Sequence, residues 1–183
     1  METKNKAWKT LSSEYIFRRP WLTVRQDEFL LPTGNRIPEY YILEYPDWVN
    51  MIAITRDGRF VFVRQYRPGI ARTCYELCAG VCEKEDASPL ISAQRELLEE
   101  TGYGNGNWQE YMVISPNPST NTTYCFLATD VELISSQHLE DTEDLTVHLF
   151  TLEEVKQLLL DNEIIQSLHA APLWKYIAEQ RLT

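Results

Sequence analysis

The chain has 183 residues, 44% hydrophobic and 24% charged, with 27 acidic against 17 basic side chains and a formal net charge of −10. That apolar share excludes a disordered chain, no apolar run approaches the roughly 20 residues of a membrane helix, and the charge has the wrong sign for a nucleic-acid backbone binder. A negative chain still binds phosphorylated substrates when divalent cations stand between protein and phosphate.

The length suits one domain with a small appended subdomain, and the division expected is residues 1–45 and 46–183. Met1 to Pro20 lacks the apolar core of a signal peptide, so a cytoplasmic protein is expected. Tyr15-Ile16-Phe17 and Trp21-Leu22-Thr23-Val24 are rich in aromatic and β-branched residues and read as strands. Pro32-Thr33-Gly34-Asn35 is a turn between the strands Glu28 to Leu31 and Tyr40 to Leu43. These strands are too short to bury a core of their own, so they are expected to pack on the rest of the chain or on a second subunit.

Two further strands are expected over Val49 to Ile54 and Phe60 to Arg64, joined by the turn Arg56-Asp57-Gly58, and then a short one, Tyr75 to Gly80. The polar stretch from Val81 ends at Ser88, an N-cap residue before Pro89 at the first helical position. The helix that follows runs to about Thr101 and stops at Gly102. Strands follow near Tyr111 to Ile114 and Thr123 to Ala128. Thr151-Leu152-Glu153-Glu154 opens a capped helix through Leu160, and a last helix covers about Ile165 to Glu179. Strands interleaved with helices predict an α/β or α+β fold, a mixed sheet with helices packed on it. Cys74, Cys78 and Cys82 recur every four residues, but with Cys125 alone as a fourth ligand the expected state is buried free thiols rather than a zinc site. His138, His148 and His169 have no metal-ligand spacing and are expected to be structural or exposed.

The segment that carries chemistry is Arg95-Glu96-Leu97-Leu98-Glu99-Glu100-Thr101-Gly102-Tyr103. At about 100° per residue, Glu96, Glu99 and Glu100 fall within an arc of about 100°, beside an apolar stripe of Leu90, Ala93 and Leu97. Three carboxylates on one helical face repel one another unless a positive charge sits over them. Oxygen ligands so arranged suit a hard divalent cation, Mg²⁺ or Mn²⁺; the plainer alternative is a solvated acidic face.

The segment resembles the second half of the Nudix box, G-x5-E-x7-R-E-U-x-E-E-x-G-U with U aliphatic or aromatic, at every fixed position. Gly80 supplies the first glycine. Asp86 stands where the early Glu is expected, and the stretch from Asp86 to Arg95 is one residue longer than the pattern. Val63-Arg64-Gln65-Tyr66-Arg67-Pro68-Gly69 and Tyr75-Glu76-Leu77-Cys78-Ala79-Gly80 look like the approach to the box in ADP-ribose pyrophosphatases and related nucleotide-sugar hydrolases. Pro118, sixteen residues after Gly102, falls near that subfamily's marker proline.

The resemblance implies a Nudix fold, a mixed sheet sandwiched between helices with a small N-terminal antiparallel β subdomain used for dimerisation and base binding. It implies a Mg²⁺-dependent pyrophosphatase, with Mn²⁺ as the other candidate ion, acting on ADP-ribose or a related nucleoside diphosphate sugar as a homodimer. Glu96 and Glu100 would be principal metal ligands, Glu99 an auxiliary one, and Ala79 a ligand through its carbonyl. Arg95 would orient the carboxylates, with Glu76 expected as its partner. Arg67 would contact the substrate's phosphates, and Glu143, or alternatively Glu140, would be the general base. Trp21 stands where related enzymes stack an aromatic on the base; packing within the N-terminal sheet is the other expectation for it. Another Nudix substrate (a dinucleoside polyphosphate or GDP-mannose) and a non-catalytic nucleotide-sensing domain are the alternatives.

Overall fold

The computed structural model describes residues 6–116 and 119–181. They fall into two compact units, Met1–Pro46 with Ser115–Thr122, and Asp47–Ile114 with Thr123–Thr183. The first is an antiparallel meander of β1 (Lys9–Arg19), β2 (Leu22–Leu30) and β3 (Arg36–Glu44). Gly34, at φ +88°, takes the left-handed position of the β2–β3 turn, where its N–H donates to Leu31 O at 2.9 Å. Trp8, Phe29 and Tyr40 meet edge to face with centroids 5.6, 5.9 and 5.7 Å apart. Asp27, buried, is gripped by Arg25 through Nε at 2.9 Å and Nη2 at 3.0 Å, while Arg25 Nη1 reaches Glu44 at 2.6 Å. The Thr120 N–H donates to Leu43 O at 2.9 Å, and Ser119 forms a parallel bridge with Leu43, which brings residues 119–120 onto β3.

The second unit is built on an eight-stranded mixed sheet. β4 (Trp48–Thr55) lies near its centre, parallel to β10 (Thr123–Leu133) and antiparallel to β5 (Phe60–Arg67) and β7 (Cys78–Val81). Beyond them lie β6 (Arg72–Glu76) and β11 (Leu145–Phe150) on β5, and β8 (Tyr103–Gly104) and β9 (Asn107–Ile114) on β10. Alternation along β4 explains its continuous burial. Ile52 and Ile54 point into a core shared with α2 (Leu152–Leu160) and α3 (Ser167–Gln180). Val49, Met51 and Ala53 point into the opposite core, where Ala93 and Leu97 of α1 (Pro89–Thr101) pack with Leu90 beside them. A sheet between helices is the α+β arrangement expected.

The helix ends follow the local chemistry. Ser88 caps α1 by accepting from the Ile91 N–H, and Gly102 closes it at φ +75° with its N–H on Leu98 O at 2.8 Å. Thr151 and Glu154 form a reciprocal capping box on α2. α3 contains Pro172, which has no N–H for the Leu168 carbonyl one turn earlier; Asn50 Nδ2 supplies that donor at 2.7 Å from β4. Cys74, Cys78 and Cys125 are buried, Cys82 is half-buried, and all four are free thiols. No helix among the described residues is long and apolar enough to cross a membrane.

Candidate active site

β7 and α1 run past each other so closely that Gly80 carries the Glu96 carboxyl on its Cα; a Cβ there would overlap that carboxyl. The glycine therefore makes room for an acidic group rather than serving a turn. One turn on, Glu100 is 5% exposed and accepts from the Ala79 N–H at 3.2 Å. Burial, with Glu99 and Glu143 adding like charge, pushes the Glu96 carboxyl up to about 7 against the pull of Arg95. Burial, with Glu96 and Glu143 nearby, pushes Glu100 up to about 8, although the Cys78 thiol and the Ala79 N–H favour its charge. Glu99, on the outer side of the helix, is 43% exposed.

Arg95 gathers this face. Its Nη1 lies 3.0 Å from Glu96 Oε1 and 2.9 Å from Glu99 Oε2. Nε and Nη2 reach Asp86 Oδ2 at 3.3 and 3.1 Å, and Nη2 also donates to Val81 O at 3.2 Å. Burial works against the guanidinium, but Asp86, Glu96 and Glu99 keep it charged. Asp86 thus serves as the acidic partner of Arg95 across the lengthened loop. Glu76 does not, contrary to expectation. It lies at the end of β6, where Arg67 reaches it through Nε at 2.8 Å and Nη2 at 2.5 Å. A buried carboxylate takes the nearest planar fork that satisfies both oxygens, and here that fork is Arg67.

Among the described residues no three His, Cys, Asp or Glu side chains stand in ready-made metal-ligand geometry; Arg95 engages Glu96 and Glu99, and Glu100 turns to Ala79. The donor set nevertheless fits a hard divalent cation. It is all oxygen, its two inner carboxylates are desolvated and mutually repelling, and glycine at position 80 lets the Glu96 carboxyl lie against β7.

Beside Gly80 lies a cavity of about 530 Å³ whose lining includes Trp48, Asn50, Arg67, Ala79, Gly80 and His169. Asn50 Oδ1, Thr123 Oγ1 and His169 Nδ1 in its wall are buried with no hydrogen-bond partner among the described residues. His169, expected to be structural or exposed, is buried against this cavity, and burial holds its imidazole down to about 4. Neither Asn50 nor His169 belongs to a motif that marks it in the sequence as a site residue. The available signal was an Asn inside the otherwise apolar run Val49 to Ile54; His169 had none.

Of the other residues singled out, Glu143 lies in the loop between β10 and β11. Its carboxylate accepts from the Glu140 N–H at 2.9 Å, and its charge is felt by Glu96 and Glu100. Glu140 is not among the larger charge effects on either. Trp21 belongs to the first unit, in the turn between β1 and β2, and is 70% exposed, so it does not pack in the N-terminal sheet. Pro118 lies outside the described residues.

Comparison with known proteins agrees with this geometry. Residues 45–170 match the NUDIX domain, and residues 8–43 match the nucleoside diphosphate sugar hydrolase N-terminal domain. The chain is 30% identical over 159 residues to the ADP-ribose pyrophosphatase of Bacillus subtilis (strain 168), covering 85% of each protein. It is also 30% identical over 162 residues to the methanol dehydrogenase activator of Bacillus methanolicus, covering 87% of this chain and 86% of that protein. A crystal structure of an ADP compounds hydrolase superposes with a TM-score of 0.82 over 96% of both chains at 21% identity, a likeness of fold. A glutamate-bearing helix laid over a glycine strand, matched across most of the chain, places the protein in the NUDIX family as an ADP-ribose pyrophosphatase-like hydrolase.

Proposed function

We propose that this hydrolase is a Mg²⁺-dependent pyrophosphatase, with Mn²⁺ as the other candidate ion, that cleaves ADP-ribose or a related nucleoside diphosphate sugar. The products would be a nucleoside monophosphate and a sugar phosphate, AMP and ribose 5-phosphate in the case of ADP-ribose. The observation that carries this reading is the pair of desolvated carboxylates, Glu96 and Glu100, held over Gly80 beside the cavity. The match of residues 8–43 and the likeness to an ADP-ribose pyrophosphatase support the substrate class.

Glu96 and Glu100, with Glu99 and the Ala79 carbonyl, would hold the ion, and Arg95 would keep the three glutamates on one side of α1. When bound there, a divalent cation neutralises the diphosphate and makes water more acidic. Arg67 binds a substrate phosphate at the cavity wall. Glu143 takes the proton of the attacking water as the P–O–P bridge breaks; its electrostatic reach to Glu96 and Glu100 favours it over Glu140. In the N-terminal meander, taken as residues 1–45 ahead of a hydrolase domain over 46–183, exposed Trp21 supplies a stacking surface for the base. A homodimer formed through that meander is consistent with β1, which is exposed throughout.

The test is release of nucleoside monophosphate from a panel of nucleoside diphosphate sugars with Mg²⁺, alongside Glu100→Gln. The expected result is metal-dependent cleavage that falls by more than about 100-fold in the variant, beyond the roughly 10–100-fold that outer-shell losses cost. Nucleotide binding without cleavage of any panel member would overturn the reading in favour of a nucleotide sensor.

A further inference from the structure

Glu76 is outside the helix motif, 1% exposed, and more heavily hydrogen-bonded than a structural ion pair requires. Its Oε1 accepts from Arg67 Nε at 2.8 Å and Gln166 Nε2 at 2.5 Å. Its Oε2 accepts from Arg67 Nη2 at 2.5 Å and Gln65 Nε2 at 3.2 Å, with His169 Nε2 at 3.6 Å. A carboxylate has about four lone-pair sites, and here each oxygen takes two donors. Gln166 is the N-cap residue of α3, yet its side chain makes no cap; it reaches back to Glu76 instead. The first turn of α3 and the end of β5 are thus fastened to one carboxylate, and Arg67, Gln166 and His169 all line the cavity.

The arrangement leaves Arg67 preorganised. Of the five guanidinium N–H groups, Glu76 takes one on Nε and one on Nη2. Nη1 has no partner among the described residues, so the Nη1–Nη2 edge keeps its donors for a second planar or tetrahedral oxyanion. An arginine with 40% of its side chain exposed would otherwise sample many rotamers. Building on the reading of Arg67 as the phosphate contact, we infer that Glu76 is the positioning residue of this site. Its buried carboxylate locks the guanidinium so that the free edge meets the substrate diphosphate, and it anchors the α3 turn that forms the neighbouring wall.

The experiment measures KM and kcat with the panel's best substrate for the wild type, Arg67→Ala, Glu76→Gln and the double variant, each checked for folding by near-ultraviolet circular dichroism. The expected result is a KM about 10-fold higher in Glu76→Gln with kcat changed by less than about 3-fold, the signature of lost binding rather than lost chemistry. The double variant should be no worse than Arg67→Ala alone, because Glu76 acts through Arg67. A normal KM in Arg67→Ala would overturn the phosphate reading. A raised KM there with a normal KM in Glu76→Gln, or effects that multiply in the double variant, would overturn the positioning role alone. If Glu76→Gln does not fold, Arg67→Lys carries the test, since lysine keeps the charge but lacks the two-point fork. A KM close to that of Arg67→Ala supports the inference, and a wild-type KM overturns it. If no substrate turns over, the Kd for ADP of the same variants is read in the same way.

Discussion

β1, with 11 residues, and β4, with 8, are strands with opposite fates. Every residue of β1 is exposed, including Tyr15, Ile16 and Phe17, whereas Val49 to Ala53 of β4 are at most 1% exposed. Both segments are rich in strand-forming residues, so intrinsic preference does not separate them. The number of layers does. β4 has helices on both faces of its sheet, while a three-stranded meander has too little of itself to cover even one face. The hydrolase unit therefore draws its stability from burial. The N-terminal unit relies on its backbone ladder, the Arg25–Asp27–Glu44 ion cluster and one aromatic trio.

The sharpest way to break this contrast is to delete apolar bulk from each unit. Leu97→Ala, in the core under α1, should cost about 2–5 kcal/mol in chemical denaturation. Ile16→Ala on β1 should cost less than about 0.5 kcal/mol. A concentration-dependent loss at Ile16 would mean that a second chain covers β1, and the contrast would belong to the monomer alone.

The next effect separates the buried charges of the hydrolase unit. In the metal-free protein the Glu100 carboxyl titrates near 8, above its ordinary 4.5, so the folded state binds this proton more tightly than the unfolded chain. Its contribution to stability is complete below about 4.5 and is lost as pH rises through about 8. Melting temperatures measured in chelator should therefore fall with pH across that window in the wild type and less steeply in Glu100→Gln. Added Mg²⁺ should restore stability at the alkaline end of the window.

His169 works with the opposite sign. Its imidazole titrates near 4 in the fold against 6.5 ordinarily, so its contribution is intact above 6.5 and lost as pH falls toward 4. His169→Asn should flatten that acid limb, read as the midpoint of urea unfolding at successive pH values. Equal slopes in the two proteins would remove His169 from the acid response. The smallest effect is at Trp21. Being 70% exposed, it should change stability by less than about 0.5 kcal/mol on replacement by Ala, yet AMP affinity should drop measurably in a fluorescence titration if it stacks on the base.

Much of the hydrolase unit was legible because its signals are local. Ser88, Pro89 and Gly102 mark the ends of α1, Thr151 and Glu154 the start of α2, and the spacing of Glu96, Glu99 and Glu100 puts them on one helical face whatever lies around it. The resemblance carried the rest of that helix, and Asp86 pairs with Arg95 despite the longer loop. The partner of Glu76 was not legible. Arg67 and Arg95 are both within reach of it along the chain, and the choice depends on how β5 and β6 pair and on the arrival of Gln166 from α3, ninety residues away. The strand Tyr75 to Gly80, expected as one piece, is divided at Leu77 into β6 on β5 and β7 on β4.

By itself the sequence determined the ends of α1, the start of α2 and the acidic face of α1, because these rest on capping chemistry and periodicity, while Gly80 entered through the resemblance and its packing on Glu96 through the structure. Tertiary structure alone decided which charges are desolvated. It turned Glu100 and Glu76 into buried groups with opposite shifts, one raised by its burial and one lowered, against its burial, by its arginine. It also filled the gap left by Pro172 with Asn50 from a distant strand. The physical reason is that burial and the choice of a hydrogen-bond partner are properties of the space around a side chain, and packing assembles that space from segments far apart in the chain.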